Sequence, residues 1–254
     1  MALSAIERIR LDKAAVDEGF GLKRPDDGDW LAYDTLGVPA SIRLTCVGQD
    51  FVVAINHRGV ARDLADRWSP WLADAGPAVP EGFRAFIVVD TAPLHHLVRE
   101  MWRLVRALPA APLHAFEQQT RTLPRSTEAE RLVVLRVGQN VFREALMTYW
   151  DGRCAVTGVA EPSLLRASHV RPWSLCETDA ERLDVYNGLL LAAHLDAAFD
   201  GGLVSFAADG LIMFSERFRI EDRGLLGLRS DMRLRHLVPD LAGRLAWHRE
   251  NLFR

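Results

Sequence analysis

Two stretches decide how the C-terminal half of this chain folds: LLRASHVRPWS at residues 164–174 and DVYNGLLLAAHLDAAFDGGLVSF at residues 184–206. The first stretch predicts a strand over Leu164–Val170, with a histidine near its end. In the second stretch, Asn187–Gly188 predicts a tight turn that leads into the apolar strand Leu189–Leu191. We therefore predict two short strands, and the sequence after them predicts a short helix.

That helix is predicted from about His194 to Asp200. Asp196 and Asp200 are four residues apart, so their carboxylates lie on one face of the helix. Two carboxylates so placed can bind a hard cation such as Mg²⁺ and leave positions open for water and phosphate oxygens. An isolated pair at this spacing is more often a local cap, and a lone histidine such as His169 is more often structural. The ordered combination of histidine, Asn-Gly and helical acids is therefore more informative than any one of these features alone.

Five motifs extend this pattern through the C-terminal half: GQNVFR at 138–143, Trp150–Gly158, Ala167–Trp173, Asn187–Leu191 and Leu195–Leu203. In these motifs the chain resembles the HNH endonuclease family, in its bacterial restriction-type form. The resemblance covers roughly the last half of the chain. It implies a ββα-metal fold, in which a two-stranded hairpin packs on a helix around one divalent cation, and it implies DNA as the substrate.

The resemblance also implies a role for each residue of the pattern. His169 would be the general base that removes a proton from the attacking water. Asn187 would fix the loop that carries the histidine, because its amide can both donate and accept hydrogen bonds. Asp196 is the first candidate for a metal ligand and Asp200 is the second.

This sequence departs from the family pattern in two places. Ser168 stands where many members have Asp or His as a metal ligand, and it is a weaker, neutral ligand. Many members have histidines on the helix where this chain has carboxylates, and His194 is the third candidate ligand or a contact to DNA. An Asp/Asp site favours Mg²⁺ or Mn²⁺ over zinc. We expect no structural zinc, because Cys154 has no CxxC partner.

Several arginines are candidates for binding DNA phosphates, since a guanidinium group suits that contact. Arg166, Arg171 and Arg143 are candidates for steadying the scissile phosphate. Arg136 and Gln139 share one face of a predicted helix with Arg143. That face is either a solvated surface or a surface that contacts DNA or supports the active site, and the sequence leaves both interpretations open.

The boundary between two domains is predicted at the segment RTLPRST, residues 121–127, which contains proline and polar residues. Thr127 and Glu130 fit a capping box at the start of a helix that runs to about Trp150. Gly138 lies on the apolar stripe of this helix, where we expect close backbone packing. The predicted domains are residues 1–122 and residues 127–254, with a nuclease core over 150–206.

The N-terminal domain is predicted to be a small α/β or α+β domain that matches no family we can name. Trp30, Tyr33 and Phe51 are predicted to be core residues rather than stacking platforms for bases. By analogy with restriction-type proteins, this domain is a candidate reader of a target sequence or a modified base. The predicted elements are a helix at 4–19, strands at 30–33, 41–47 and 51–55, a turn at 48–50, a helix at 59–73, a strand at 84–89 and a helix at 93–108.

The predicted fold class of the whole chain is α+β: an N-terminal mixed α/β domain followed by an HNH ββα-metal domain with flanking helices. The formal net charge of −3 does not by itself indicate nucleic-acid binding. The three cysteines are predicted to be free thiols, since their number is odd and no CxxC is present. No stretch approaches the ~20 apolar residues that span a bilayer, and the N-terminus lacks a signal-peptide pattern, so we expect a cytoplasmic protein.

Two other functions stay open on the sequence alone. One is a DNA-binding protein whose nuclease site has decayed, which the neutral Ser168 favours. The other is a toxin-like nuclease that cleaves without site preference. Since one HNH site cuts one strand, a homodimer is the expected arrangement for cutting both strands at one locus.

Overall fold

The structure is a computed structural model that describes residues 3–65, 67–71, 76–124 and 126–254. The chain divides into two compact units, residues 1–106 and residues 107–254. The helices are α1 (Ala5–Asp17), α2 (Arg58–Leu64), α3 (Thr91–Ala107), α4 (Ala110–Thr120), α5 (Glu128–Tyr149), α6 (Asp179–Arg182), α7 (Ala193–Asp200), α8 (Ile220–Leu225) and α9 (Pro239–Asn251). The strands are β1 (Leu22–Asp27), β2 (Trp30–Asp34), β3 (Ser41–Val47), β4 (Asp50–Ile55), β5 (Arg84–Val88), β6 (Leu165–His169), β7 (Gly188–Ala192), β8 (Val204–Phe206) and β9 (Ile212–Phe214).

The N-terminal unit is built on one five-stranded sheet with strand order β1-β2-β3-β4-β5. All four neighbouring pairs are antiparallel. The sequence left α/β and α+β open for this unit, and the antiparallel pairing makes it α+β. Trp30, Tyr33 and Phe51 are almost completely buried, which confirms the prediction that they belong to the core.

Strand β1 was not predicted, because its sequence LKRPDD resembles a turn. It is an edge strand whose pairing with β2 shifts register between Arg24 and Asp27. Pro25 lies within this irregularity, where the missing N–H of proline costs no ladder hydrogen bond. The predicted helix over 59–73 is found as α2, which ends at Leu64. Residues 66, 72 and 73 of that prediction lie outside the described residues.

Helices α4 and α5 begin the C-terminal unit and pack against each other. The capping box of Thr127 and Glu130 is present as predicted. A methyl group on Gly138 would lie 2.7 Å from the Trp173 ring, which confirms close packing there. Helix α4 was not predicted, and the two compact units divide before it rather than at 122–127. Residue 125 of the predicted linker lies outside the described residues.

Strands β6 and β7 form an antiparallel pair in which His169 is opposite Gly188 and Leu165 is opposite Ala192. Helix α7 follows β7 directly and packs against both strands. This ββα arrangement has the two strands and the helix that the sequence predicted. A second hairpin, β8-β9, follows, and α9 packs against β8.

The Asn187–Gly188 dipeptide differs from its prediction as a tight turn. A short 3-10 helix, Val185–Asn187, ends directly where β7 begins. Gly188 has an extended backbone, with φ at −153°, and a methyl group there would lie 2.4 Å from the Phe142 ring. The glycine is therefore required by close packing against α5 and not by a turn. No helix in the described parts of the chain is long and apolar enough to cross a membrane.

Candidate active site

Ser168 and His169 are neighbours on β6, and successive side chains of a strand point to opposite faces. The two residues therefore enter different surroundings. Ser168 is buried, and its hydroxyl donates a hydrogen bond to Asp200 Oδ1 at 3.1 Å. The same hydroxyl lowers the pKa of Asp196, against the larger opposing effect of burial. β6 and α7 thus bring one hydroxyl and two carboxylates together.

The two carboxylates of α7 are less acidic than free aspartates. Burial raises the pKa of Asp196, and the Ser168 hydroxyl and the charge of Arg166 partly offset this effect. Burial also raises the pKa of Asp200, and the negative charge of Asp196 raises it further. Asp196 is partly buried and Asp200 is exposed, and a cation bound between the two carboxylates would relieve their mutual repulsion.

This donor set fits a hard divalent cation. Carboxylate and hydroxyl oxygens suit Mg²⁺ or Mn²⁺, whereas zinc favours nitrogen and sulfur ligands. Asp196, Asp200 and the Ser168 hydroxyl are the groups that would hold the ion. Among the described residues, no group of three or more His, Cys, Asp or Glu is arranged to hold a metal.

His194, the third candidate ligand, does not join this cluster. Each helical residue rotates by about 100°, so His194 lies about 160° around α7 from Asp196. The predicted set of Asp196, Asp200 and His194 is therefore not brought together among the described residues. Helical spacing alone is enough to predict this separation.

The His169 ring lies in a fixed position between two aromatic side chains. It stacks on Phe142 with ring centroids 3.8 Å apart, and Trp173 meets it edge-on at 5.4 Å. Its Nε2 lies 2.9 Å from the backbone carbonyl oxygen of Arg182. Since a carbonyl only accepts, Nε2 carries the hydrogen and Nδ1 carries the lone pair.

Burial lowers the pKa of His169, and the hydrogen bond to the Arg182 carbonyl offsets part of this effect. The imidazole is therefore neutral at neutral pH. A neutral imidazole with a free lone pair can accept a proton, which is the chemistry of a general base.

Asn187 is completely buried, and its side-chain amide forms hydrogen bonds to the segment that follows His169. Its Oδ1 accepts from the backbone N–H of Arg171 at 2.9 Å, and its Nδ2 donates to the Arg171 carbonyl at 3.2 Å. The same Nδ2 lies 3.4 Å from the Glu181 carbonyl oxygen. Asn187 thus joins the segment after β6 to the segment that supplies the partner of His169.

Two of the arginines that were predicted to bind phosphate form intramolecular contacts through their guanidinium groups. Arg143 donates to the backbone carbonyls of Leu165 at 2.8 Å and Pro162 at 2.9 Å, which ties α5 to the start of β6. Arg171 forms an ion pair with Glu181 at 2.8 Å. Of the two interpretations left open for Arg143, these contacts favour support of the site over a solvated surface.

The other predicted contacts are more accessible. Arg166 is exposed, and one of its terminal nitrogens donates to the carbonyls of Ser163 and Leu165 at 2.9 Å. Its charge lowers the pKa of Asp196, and its side chain is on the same face of β6 as Ser168, two residues along the strand. Arg136 and Gln139 are exposed on α5.

Some parts of the site were not identified from the sequence. The role of the Arg182 carbonyl could not be predicted from the sequence, because every residue has a backbone carbonyl. Stacking of Phe142 on His169 was not predicted, because the two residues lie on different elements. Glu181 and Arg244 lie far apart in sequence, although their side chains meet at 2.8 Å.

Residues 154–207 match a family model described as HNH endonuclease. The matched segment contains β6, β7, α7 and β8, and so it contains Ser168, His169, Asn187 and both aspartates. None of the curated proteins matches the chain.

Proposed function

We propose that the C-terminal unit hydrolyses DNA phosphodiester bonds with the help of a divalent cation, since residues 154–207 match a family model described as HNH endonuclease. The observation that carries this proposal is the pairing of two features on one strand. Ser168 meets the two carboxylates of α7, and the adjacent His169 is held as a neutral base.

In this proposal, His169 Nδ1 takes a proton from a water molecule. The water oxygen forms a bond to the scissile phosphorus, and the bond from phosphorus to the 3′ oxygen of DNA breaks. Asp196, Asp200 and Ser168 would hold the cation. A bound Mg²⁺ or Mn²⁺ supplies positive charge that offsets the negative charge developing on the phosphate oxygens.

The other side chains support this base and its substrate. Asn187 holds the segment after β6 and so fixes the direction of the His169 ring. Arg166 is the side chain placed to contact a phosphate next to the acidic pair, since it is exposed and close to Asp196. Arg136 and Gln139 offer further exposed contacts on α5.

We further propose that the enzyme acts in restriction or phage defence. The support is the resemblance of the five motifs to restriction-type HNH proteins, and the same analogy makes the N-terminal unit a candidate reader of a sequence or a modified base. Since one site cuts one strand, two copies of the chain would be needed to cut both strands at one locus.

The test is cleavage of supercoiled plasmid, methylated and unmethylated, with Mg²⁺, with Mn²⁺ and with EDTA. Loss of a general base typically costs about 10²–10⁴ in rate, so His169→Ala should lower the nicking rate by that factor. His114→Ala is the matched control, because His114 is exposed on α4. Equal nicking by wild type and His169→Ala would remove His169 from the mechanism.

One observation favours a second function, a DNA-binding protein with a decayed site. Ser168 is neutral, and its hydroxyl donates to Asp200 instead of adding a negative ligand. This alternative predicts DNA binding that weakens with salt, without nicking in either metal. The same plasmid assay, combined with a binding measurement, separates the two functions.

A further inference from the structure

The backbone carbonyl that accepts the His169 Nε2 hydrogen belongs to Arg182, the last residue of α6. This helix spans only Asp179–Arg182, which is about one turn. An isolated helix of that length is unstable in water. The carbonyl that orients His169 is therefore held in place by side chains that anchor α6 to its surroundings.

Glu181 has the contacts of such an anchor. One carboxylate oxygen, Oε1, accepts from terminal nitrogens of Arg171 and Arg244, each at 2.8 Å. The other, Oε2, accepts from the backbone N–H of Glu177 at 3.0 Å. The Glu181 side chain is only 14% exposed, so its hydrogen bonds are shielded from competing water.

Glu181 is also ionised despite its burial. Burial opposes its charge, but the N–H of Glu177 and the two guanidinium groups hold the pKa of the Glu181 carboxyl below its usual range. A charged carboxylate between two arginines makes stronger hydrogen bonds than a neutral group would.

The two arginines reach Glu181 from different elements. Arg171 follows β6, and its backbone is paired with the Asn187 amide. Arg244 lies on α9, and its second terminal nitrogen is 3.6 Å from Asp184. Asp184 accepts from the N–H of Tyr186 at 2.9 Å and so caps the 3-10 helix that ends in Asn187. Glu181 therefore connects α6, the segment after β6 and the C-terminal helix.

We propose that Glu181, held by Arg244 from α9, is a positioning residue for His169. The inference rests on the proposed nuclease function and names the residues that set the orientation of its base. With Glu181 in place, the Arg182 carbonyl stays within reach of Nε2, so the hydrogen stays on Nε2 and the lone pair stays on Nδ1. Without the carboxylate, α6 loses its link to both arginines, and the Arg182 carbonyl is held less firmly by the remaining contacts of Asn187 and of the Arg182 side chain.

The first test is steady-state cleavage of a DNA duplex by Glu181→Gln, which keeps the shape of the side chain and removes its charge. We expect kcat to fall about 10-fold to 100-fold, the range typical of losing an outer partner of a metal-bound histidine. KM should stay within about twofold, because Glu181 is not placed to touch DNA. Glu250→Gln, an exposed change on α9, is the control and should cleave like wild type.

Arg244 supplies a second, independent pair of variants. Arg244→Gln should lower kcat as Glu181→Gln does, and Arg244→Lys should recover part of the loss because lysine keeps a cation for Glu181. In the double variant Glu181→Gln, Arg244→Gln the combined loss should be smaller than the sum of the single losses, since both changes break the Glu181–Arg244 ion pair. Additive losses, or no recovery with lysine, would contradict the proposal. If Glu181→Gln does not fold, the Arg244 variants still test the proposal.

A spectroscopic measurement tests the positioning without any cleavage. In ¹⁵N-labelled protein, the imidazole nitrogens of His169 should show the Nε2–H tautomer in wild type and a mixture of tautomers in Glu181→Gln. An unchanged tautomer with an unchanged kcat would overturn the inference. If wild type fails to cleave but its tautomer still responds to Glu181→Gln, the positioning holds and the nuclease function fails.

Discussion

The side-chain amide of Asn187 pairs with both backbone polar groups of Arg171, accepting from its N–H at 2.9 Å and donating to its carbonyl at 3.2 Å. Arg171 lies two residues after His169. A buried side chain thus extends the β6-β7 pairing past the point where the strands end. This pairing fixes the segment next to the proposed base.

Replacing Asn187 with alanine should destabilise the C-terminal unit as well as impair cleavage. The change leaves the N–H and carbonyl of Arg171 without their buried partner, and unsatisfied buried groups cost about 1–3 kcal/mol each. We expect the free energy of unfolding, measured in urea, to fall by about 2–4 kcal/mol. Asn140→Ala, at an exposed position of α5, is the control. Equal stability of the two variants would contradict this structural role.

Replacing Ser168 with alanine should weaken metal binding. The variant keeps both carboxylates but removes the hydroxyl that donates to Asp200 and supplies the third oxygen of the cluster. We expect Mn²⁺ affinity, measured by calorimetry, to fall about 10-fold, which corresponds to about 1.4 kcal/mol for one lost oxygen contact. Ser163→Ala, at an exposed position outside the cluster, should leave the affinity unchanged. An unchanged affinity of Ser168→Ala would exclude Ser168 as a ligand.

Arg166 and Arg143 should respond differently to the same substitution by glutamine. Arg166 is exposed, so its loss should weaken DNA binding. The slope of log K for DNA binding against log salt concentration should become shallower by about one. Arg143 donates to two backbone carbonyls, so its loss should lower stability and leave the salt dependence unchanged. Binding is measured by fluorescence anisotropy in EDTA at several salt concentrations. The opposite assignment of the two effects would show that Arg143 is the phosphate contact.

The buried pair of Ser205 and His248 should make stability depend on pH. Nε2 of His248 donates to the Phe199 carbonyl at 3.3 Å, and Nδ1 accepts from the Ser205 hydroxyl at 3.0 Å. Burial lowers the pKa of His248 from 6.5 to about 4. Between these two values the unfolded chain binds a proton that the native protein does not, so stability falls as pH falls from about 6.5 to about 4.

The size of this effect is about 3 kcal/mol for one group. Urea unfolding of wild type and of His248→Gln between pH 4 and pH 7.5 measures it. The difference in stability between the two proteins should be largest at pH 7.5 and should shrink toward pH 4, because glutamine does not titrate. Other buried histidines contribute equally to both proteins and cancel in the difference. Parallel curves across this range would show that His248 is not held neutral.

Much of the site could be predicted from the sequence because its elements are local. The spacing of Asp196 and Asp200 fixes their common face in any helix, and residues 188–192 form a buried strand as the apolar run predicted. The capping box of Thr127 and Glu130 needs only three residues of separation. The prediction of a tight turn at Asn187–Gly188 was wrong. The residue types Asn-Gly do not show whether the glycine is needed for a turn or for close packing against a neighbouring ring.

The sequence by itself determined which segments become the two strands and the helix, because hydrophobic periodicity and helical spacing act over a few residues. It also determined the residue types on which the proposed hard-cation site depends. Only the tertiary structure decided that Ser168 meets Asp200, that Arg143 supports β6, and that Glu181 lies between Arg171 and Arg244. These contacts join elements that are far apart in the chain. Which residues meet depends on how the elements pack together, and the local sequence does not determine that packing.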